Sequence, residues 1–136
     1  MTGATPRGTR VSHIGIAVEA LAETLPFFRD VLGLRETPLD DADGASIVGL
    51  QAGEPLVELL EAENEESPIA RFIAKRGPGI HHICFSVDDL DETMERCRRA
   101  GVRLIDEKPR VGAEGKRIAF LHPKSTGGVL VELSEY

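Results

Sequence analysis

The sequence predicts an α+β protein built from two tandem copies of one unit, each a strand, then a helix, then a run of strands. Three observations predict it. His13-Ile14-Gly15-Ile16-Ala17-Val18 is echoed 69 residues later by His82-Ile83-Cys84-Phe85-Ser86-Val87, and the same spacing carries Leu21, Glu23 and Thr24 onto Leu90, Glu92 and Thr93. Leu56-Val57-Glu58-Leu59 returns 74 residues later as Leu130-Val131-Glu132-Leu133. In both copies the opening segment alternates with a period of two, and the next segment repeats apolar residues at helical spacing.

The first strand covers residues 11–18. Leu21, Leu25, Phe28 and Leu32 then recur at helical spacing, Gly33 is a suitable stop, and Pro26 is expected in or near the first turn, where its missing N–H does least harm. Asp40 to Gly44 reads as an acidic turn, Ala45 to Gln51 as a strand, and Ala52-Gly53-Glu54-Pro55 as a tight connection into the strand holding Glu58. Glu61 to Glu66 reads as an acidic, solvated stretch. Ser67 and Pro68 supply the cap and first-turn proline of a linker helix over about 67–76, with Gly77 beyond its end. In the second copy Asp88 or Asp89 caps a helix striped by Leu90, Met94 and Cys97, which Gly101 ends. Strands follow near Arg103 to Ile105, Lys116 to Leu121 and Val129 to Ser134. Residues 1–10, small, polar and basic, are expected to fray. The first module spans about 11–62 and the second about 79–135, within one domain of 136 residues.

Composition excludes several function classes. A net charge of −7 argues against nonspecific nucleic-acid binding, and 4% aromatic residues without tryptophan argue against a base-stacking platform. No apolar run is long enough to span a membrane and no signal-peptide core precedes residue 10, so the expected location is cytoplasmic. Two cysteines imply reduced thiols and no disulfide framework.

Alternation places His13, Gly15 and Ala17 on one face of the first strand and His82, Cys84 and Ser86 on the matching face of the other. Each face carries a histidine among small residues that leave room. Glu58 and Glu132 sit between apolar neighbours that face the other way, and a carboxylate buried there needs a positive partner. A divalent cation held by His13, Glu58, His82 and Glu132 supplies it, and nitrogen and oxygen donors suit cobalt, zinc, nickel, manganese or iron. By the same alternation His81 points away from His82, as a sheet-packing or interface residue. Cys84 reads as a small wall residue, and Arg96, Arg98 and Arg99 as a solvated helix face. Gln51, His122, Lys124 and Arg117 are candidate substrate contacts. Lys108, Arg110, Lys116, Arg117 and Lys124 concentrate positive charge in the second module, where some are expected to meet anionic groups of the substrate.

Paired modules with His and Glu at these positions resemble the vicinal oxygen chelate superfamily. Within it the chain resembles the methylmalonyl-CoA epimerase family over about residues 11–135. The motifs are His13-Ile14-Gly15-Ile16-Ala17-Val18, Val57-Glu58-Leu59-Leu60, Ser67-Pro68-Ile69-Ala70, Gly79-Ile80-His81-His82-Ile83, Gly112-Ala113, Phe120-Leu121-His122-Pro123-Lys124 and Gly127-Gly128-Val129-Leu130-Val131-Glu132-Leu133. The resemblance implies two βαβββ modules forming a cupped mixed β-sheet around a metal site, with one divalent ion per chain, cobalt first and zinc, nickel or manganese as alternatives. It implies a homodimer, methylmalonyl-CoA as substrate, and inversion at the carbon between thioester and carboxylate through a metal-stabilised enolate. Glu132 is one implied base. The position of a second base in some members falls on Ile47, which cannot carry a proton, so Glu132 and Glu58, or an ordered water, are expected to share the work. The competing readings are a glyoxalase I type lyase and a metal-free small-molecule binding protein. An extradiol dioxygenase would require iron and two histidines with one carboxylate, against which the two glutamates argue.

Overall fold

In the computed structural model, which describes residues 5–136, the chain forms one mixed eight-stranded sheet curled into a half-barrel with three helices. The first module is β1 (Arg10–Val18), α1 (Leu21–Pro26), β2 (Arg35–Thr37), β3 (Ala45–Gln51) and β4 (Leu56–Ala62). A linker helix, α2 (Pro68–Arg76), leads to the second: β5 (Gly79–Val87), α3 (Leu90–Arg99), β6 (Arg110–Val111), β7 (Arg117–Leu121) and β8 (Val131–Glu135). The strand order is β2-β3-β4-β1-β5-β8-β7-β6, so the modules join along an antiparallel seam between their opening strands. Within each module the opening and closing strands pair in parallel.

The alternation read from the sequence sets the two faces. Ile16, Val18, Val57 and Leu59 pack under α1 with Leu21, Leu25 and Phe28. Phe85, Val87, Ala119, Leu121 and Leu133 pack under α3 with Leu90 and Met94. A third cluster, Ala17, Ala45, Leu60 and Ile69, seats α2 across one end of the concave face. Ser67 caps α2 by accepting the Ile69 N–H at 3.1 Å, and Asp89 caps α3 by accepting the Glu92 N–H at 3.0 Å. No helix among the described residues is long and apolar enough to cross a membrane.

Several elements differ from expectation. Pro26 ends α1 rather than opening it, and the chain continues through a wider turn over Phe27–Val31. Proline lacks the N–H that would continue the regular ladder, and the Leu32 N–H instead reaches back five residues to the Phe27 carbonyl. The third strand of the first module is preceded by β2, which no sequence signal marked. Around Arg103 to Ile105 only a single bridge forms, Leu104 to Leu121, and the edge strand is Arg110–Val111. Residues 1–4 lie outside the described residues, but the rest of the expected frayed segment is tied down. Both Asp88 carboxylate oxygens accept backbone N–H groups, from Arg7 and Gly8 at 2.8 Å, and the Tyr136 hydroxyl donates to the Gly8 carbonyl at 2.8 Å.

Glu61 is not simply solvated. Its carboxylate accepts the Leu21 N–H at 2.7 Å, and Glu135, its counterpart in the second module, accepts the Leu90 N–H at 2.9 Å. Each closing strand therefore caps the helix of its own module. Met94, 1% exposed, is the central side chain beneath α3. Met94→Ala is expected to cost about 2–5 kcal/mol of stability, read by urea unfolding; a loss below about 1 kcal/mol would mean that the site collapses around the gap.

Candidate metal centre

The seam between β1 and β5 carries two β-bulges, each at the residue before a histidine. Val11 pairs with Phe85 and His13 with Cys84, which leaves Ser12 as the extra residue on β1. Gly15 pairs with His82 and Ile16 with Ile80, which leaves His81 extra on β5. A bulge suspends strict alternation. His81 therefore does not point away from His82. It lines the concave face and packs edge-on against Phe72 of α2, ring centroids 5.0 Å apart.

Two rows cross the sheet. Glu58, Gly15 and His82 are in register across β4, β1 and β5; His13, Cys84 and Glu132 are in register across β1, β5 and β8. A small residue stands between histidine and glutamate in each row. The rows meet where His13 Nε2 lies 3.0 Å from His82 Nε2 and 3.1 Å from Glu132 Oε1, with His82 Nε2 3.2 Å from that oxygen. Glu58 approaches from the other side of the His13 ring, its Oε2 3.3 Å from Nδ1. His13, Glu58, His82 and Glu132 are all buried, between 2% and 6% exposed.

The donor set fits a divalent cation. Donor atoms about 3 Å apart are what neighbouring ligands make when each sits about 2.1 Å from one ion. Glu58 Oε2 is buried and, among the described residues, has no hydrogen-bond partner. His13, Glu58 and His82 can each offer a donor within 4.8 Å of the others, as can His13, Cys84 and Glu132. Burial pushes the Cys84 thiol up to about 11, so sulfur is the weakest candidate of these donors.

The charges point the same way. Burial alone would lower His13, but hydrogen bonds to Cys84, Glu114 and Glu132 and the charge of Glu58 outweigh it and push the imidazole up to about 12. Burial alone would raise Glu132, but hydrogen bonds from His13 and His82 hold it down at about 2. For Glu58 burial wins over the charge of His13, and its carboxyl rises to about 8. Burial, followed by the charge of His82, holds His81 down at about 4.

The candidate substrate contacts separate into two groups. Arg117 lies on the opposite face of β7 from Ile118 and Phe120, and its guanidinium is held by Asp91 and Glu135 at 3.0 Å; the alternation of β7 takes it out of the cup. His122 caps the turn that comes after β7, its Nδ1 accepting the Lys124 N–H at 3.1 Å, and neither residue lines the cup. Gln51 stands in a neighbouring depression and donates to Thr37 Oγ1 at 3.0 Å. The cup itself, about 600 Å³ with its open mouth, is lined by Ile47, Ile118, Phe120 and Lys116 around the donor set. Glu114, which sequence reasoning did not single out, also reaches it, its Oε2 3.0 Å from His13 Nδ1. The only sequence signal was an acidic residue inside the glycine-flanked stretch Gly112 to Gly115.

Comparison with known proteins agrees with this geometry. A model of the Glyoxalase/Bleomycin resistance protein/Dioxygenase superfamily matches residues 12–120. The human mitochondrial methylmalonyl-CoA epimerase is 37% identical over 139 residues, covering 99% of this chain and 78% of that protein. The crystal structure of methylmalonyl-CoA epimerase from Mycobacterium tuberculosis superposes with a TM-score of 0.88 at 36% identity, covering 99% of this chain and 91% of that one. A methylmalonyl-CoA epimerase in complex with methylmalonyl-CoA and NH4+ superposes with a TM-score of 0.87 at 37% identity, covering 93% and 94%.

Gly15 gives a direct test of the close packing. A Cβ there would stand 2.2 Å from His82 Cε1, so Gly15→Ala must displace the imidazole. The expected result is a folded protein whose cobalt affinity falls at least about tenfold by competition with a chromophoric chelator; wild-type affinity would contradict the geometry.

Proposed function

We propose that this chain, which belongs to the glyoxalase/bleomycin resistance protein/dioxygenase superfamily, interconverts the (R) and (S) forms of methylmalonyl-CoA. The observation that carries the reading is the buried pair of imidazoles flanked by two glutamates, one from each module, at the floor of an open cup. Relatives of 36–37% identity that carry the epimerase name support it.

His13, His82, Glu132 and Glu58 would hold one divalent ion, cobalt first, with zinc, nickel or manganese as alternatives. When bound, such an ion supplies a Lewis acid for the negative charge that develops on the thioester oxygen as the neighbouring carbon loses its proton. The proton transfers belong to the chain. Glu58 on β4 and Glu132 on β8 flank the central strands on opposite sides, as inversion requires of two groups that take a proton from one face and return it to the other. Before an ion binds, their surroundings separate them, Glu132 held down at about 2 and Glu58 raised to about 8, and ligation would require Glu58 to give up its proton. Ile47 lines the same cup as an apolar wall.

The anionic tail of CoA needs cations that are not already paired with a carboxylate. Arg110 is held by Asp43 at 2.8 Å and Asp106 at 3.0 Å, and Arg117 by Asp91 and Glu135. A groove that shares Pro68 and His81 with the cup runs along α2, whose Arg71, Lys75 and Arg76 are accompanied by no acidic residue on that helix. The proposed path of the tail follows this groove. A cytoplasmic homodimer completes the proposal: both cysteines are free thiols, and Phe27, Val31 and Leu32 leave apolar surface exposed at the end of α1.

In deuterium oxide the protein is expected to wash deuterium into carbon 2 of methylmalonyl-CoA, to stop when chelated and to resume on addition of Co2+. Glu132→Gln is expected to slow the exchange by about 10²–10⁴. Binding without exchange would make the protein a sequestering module, and exchange indifferent to chelation would remove the cation from the reaction. The triple variant Arg71→Ala, Lys75→Ala, Arg76→Ala is expected to raise KM about tenfold, three exposed contacts of up to about 1 kcal/mol each, with kcat unchanged and the effect shrinking in high salt. An unchanged KM would send the tail elsewhere.

A further inference from the structure

We infer that Glu114 is a positioning residue for the cation site: its carboxylate accepts the Nδ1–H of His13, which commits His13 Nε2 and the carboxylate of Glu58 to the ion. The inference rests on the metal reading above and adds a residue from outside the repeat.

An imidazole bound to a cation through one nitrogen commonly donates the other N–H to a carboxylate, which fixes the tautomer and the ring plane. His13 Nε2 faces His82 and Glu132, so Nδ1 is the nitrogen left to donate. Three acceptors stand near it: Glu114 Oε2 at 3.0 Å, Ser12 Oγ at 3.2 Å and Glu58 Oε2 at 3.3 Å. Ser12 is hydrogen-bonded to Nδ1 but uncharged, and Glu58 is assigned to the ion in the reading above. Glu114 is the nearest of the three and presents a carboxylate oxygen to that nitrogen. Among the described residues His82 has no such carboxylate at its Nδ1; that atom meets His81 Nδ1 at 3.0 Å. Each histidine thus has a bulge residue at its Nδ1, Ser12 for His13 and His81 for His82, and His13 alone adds a carboxylate brought from across the cup.

The loop is built to deliver it. The Gly112 N–H donates to the Lys116 carbonyl and the Gly115 N–H to the Gly112 carbonyl, and Gly115 has φ +75°, a left-handed conformation that favours glycine. The Asp40 N–H of the first module donates to the Ala113 carbonyl at 3.2 Å, which anchors the loop one residue before Glu114. Lys116, 3.9 Å away, is a cation beside the carboxylate, and Glu58 is a neighbouring carboxyl group.

The test uses Co2+ alone as the probe, on full-length protein stripped by chelation. Glu114→Ala is expected to weaken Co2+ binding about 10–100-fold, without lowering the unfolding midpoint of the stripped protein. In the Zn2+-loaded protein the His13 Nδ1–H proton resonance is expected to disappear in Glu114→Ala and to persist in Glu114→Gln, whose amide oxygen still accepts and restores much of the affinity. Affinity within twofold of wild type in Glu114→Ala overturns the inference. So does loss of an oxygen donor from the cobalt shell by X-ray absorption, which would make Glu114 a ligand. If the unaltered protein takes up no stoichiometric Co2+, the metal reading itself has failed, a result separate from either of these.

Discussion

The structure depends on the antiparallel pairing of β1 with β5. Both opening strands carry their histidine on the concave face, and the antiparallel register sets His13 opposite Cys84 and His82 opposite Gly15. The imidazoles are therefore diagonal neighbours, close enough for their Nε2 atoms to meet at 3.0 Å. The bulges at Ser12 and His81 fall just before the two histidines, and bulges increase local twist and re-aim side chains. The outer strands are then placed by the seam. Parallel pairing puts Glu58 level with Gly15 and Glu132 level with Cys84, so each small residue opens a gap that a histidine and a glutamate close from either side.

That convergence is electrostatically expensive. Removing an ion from water costs several kcal/mol even after the protein relaxes, and here two carboxylates and two imidazoles are buried together with Glu114 at the rim. Protons partly balance the excess of negative charge: the carboxylates around His13 hold its proton on, and burial, aided by the neighbouring carboxylates, makes Glu58 reluctant to lose one. Ligation by a cation requires those protons to leave. The same excess that would destabilise an empty apolar pocket thus becomes the affinity of the site for a divalent ion. The convergence also sets two carboxyl groups on opposite flanks of the central strands.

Most of this was legible in the sequence because it rests on periodicity and repetition. The helix-side residues, the capped starts of α2 and α3 and the four buried polar side chains all come from counting in twos and in threes and fours. Gly15 was readable as a small residue, though only the structure shows that the His82 ring fills the space its missing Cβ leaves. The features that escaped depend on breaks in period. Strict alternation sent His81 to the wrong face because a bulge has no reliable local signature. Arg117 was grouped with other cations by charge, whereas its position on β7 decides that it faces α3. Pro26 was expected where prolines are least harmful, and the chain instead accommodated it with a wider turn. Glu114 sits in a loop that no period describes, and its contact with His13 is set by tertiary structure.

The repeat also explains why departures from it matter. Duplication has preserved the histidines, the glutamates and even the helix caps made by Glu61 and Glu135, which are the parts that benefit from twofold symmetry. A planar centre being inverted has two equivalent faces, so symmetric flanks suit it. The substrate as a whole is not symmetric, with a thioester on one side of the reacting carbon and a carboxylate on the other. A perfectly twofold cup could not prefer one way round. The asymmetric elements therefore have to orient the ligand: Glu114 and Lys116 stand on a glycine-rich loop of the second module, α2 covers the other end, and Phe120 is packed edge-on against His82 with ring centroids 5.7 Å apart. By this reasoning, in the proposed reaction the duplicated residues would account for the chemistry at the reacting carbon, and the unduplicated ones for which substrate presents that carbon and in which direction.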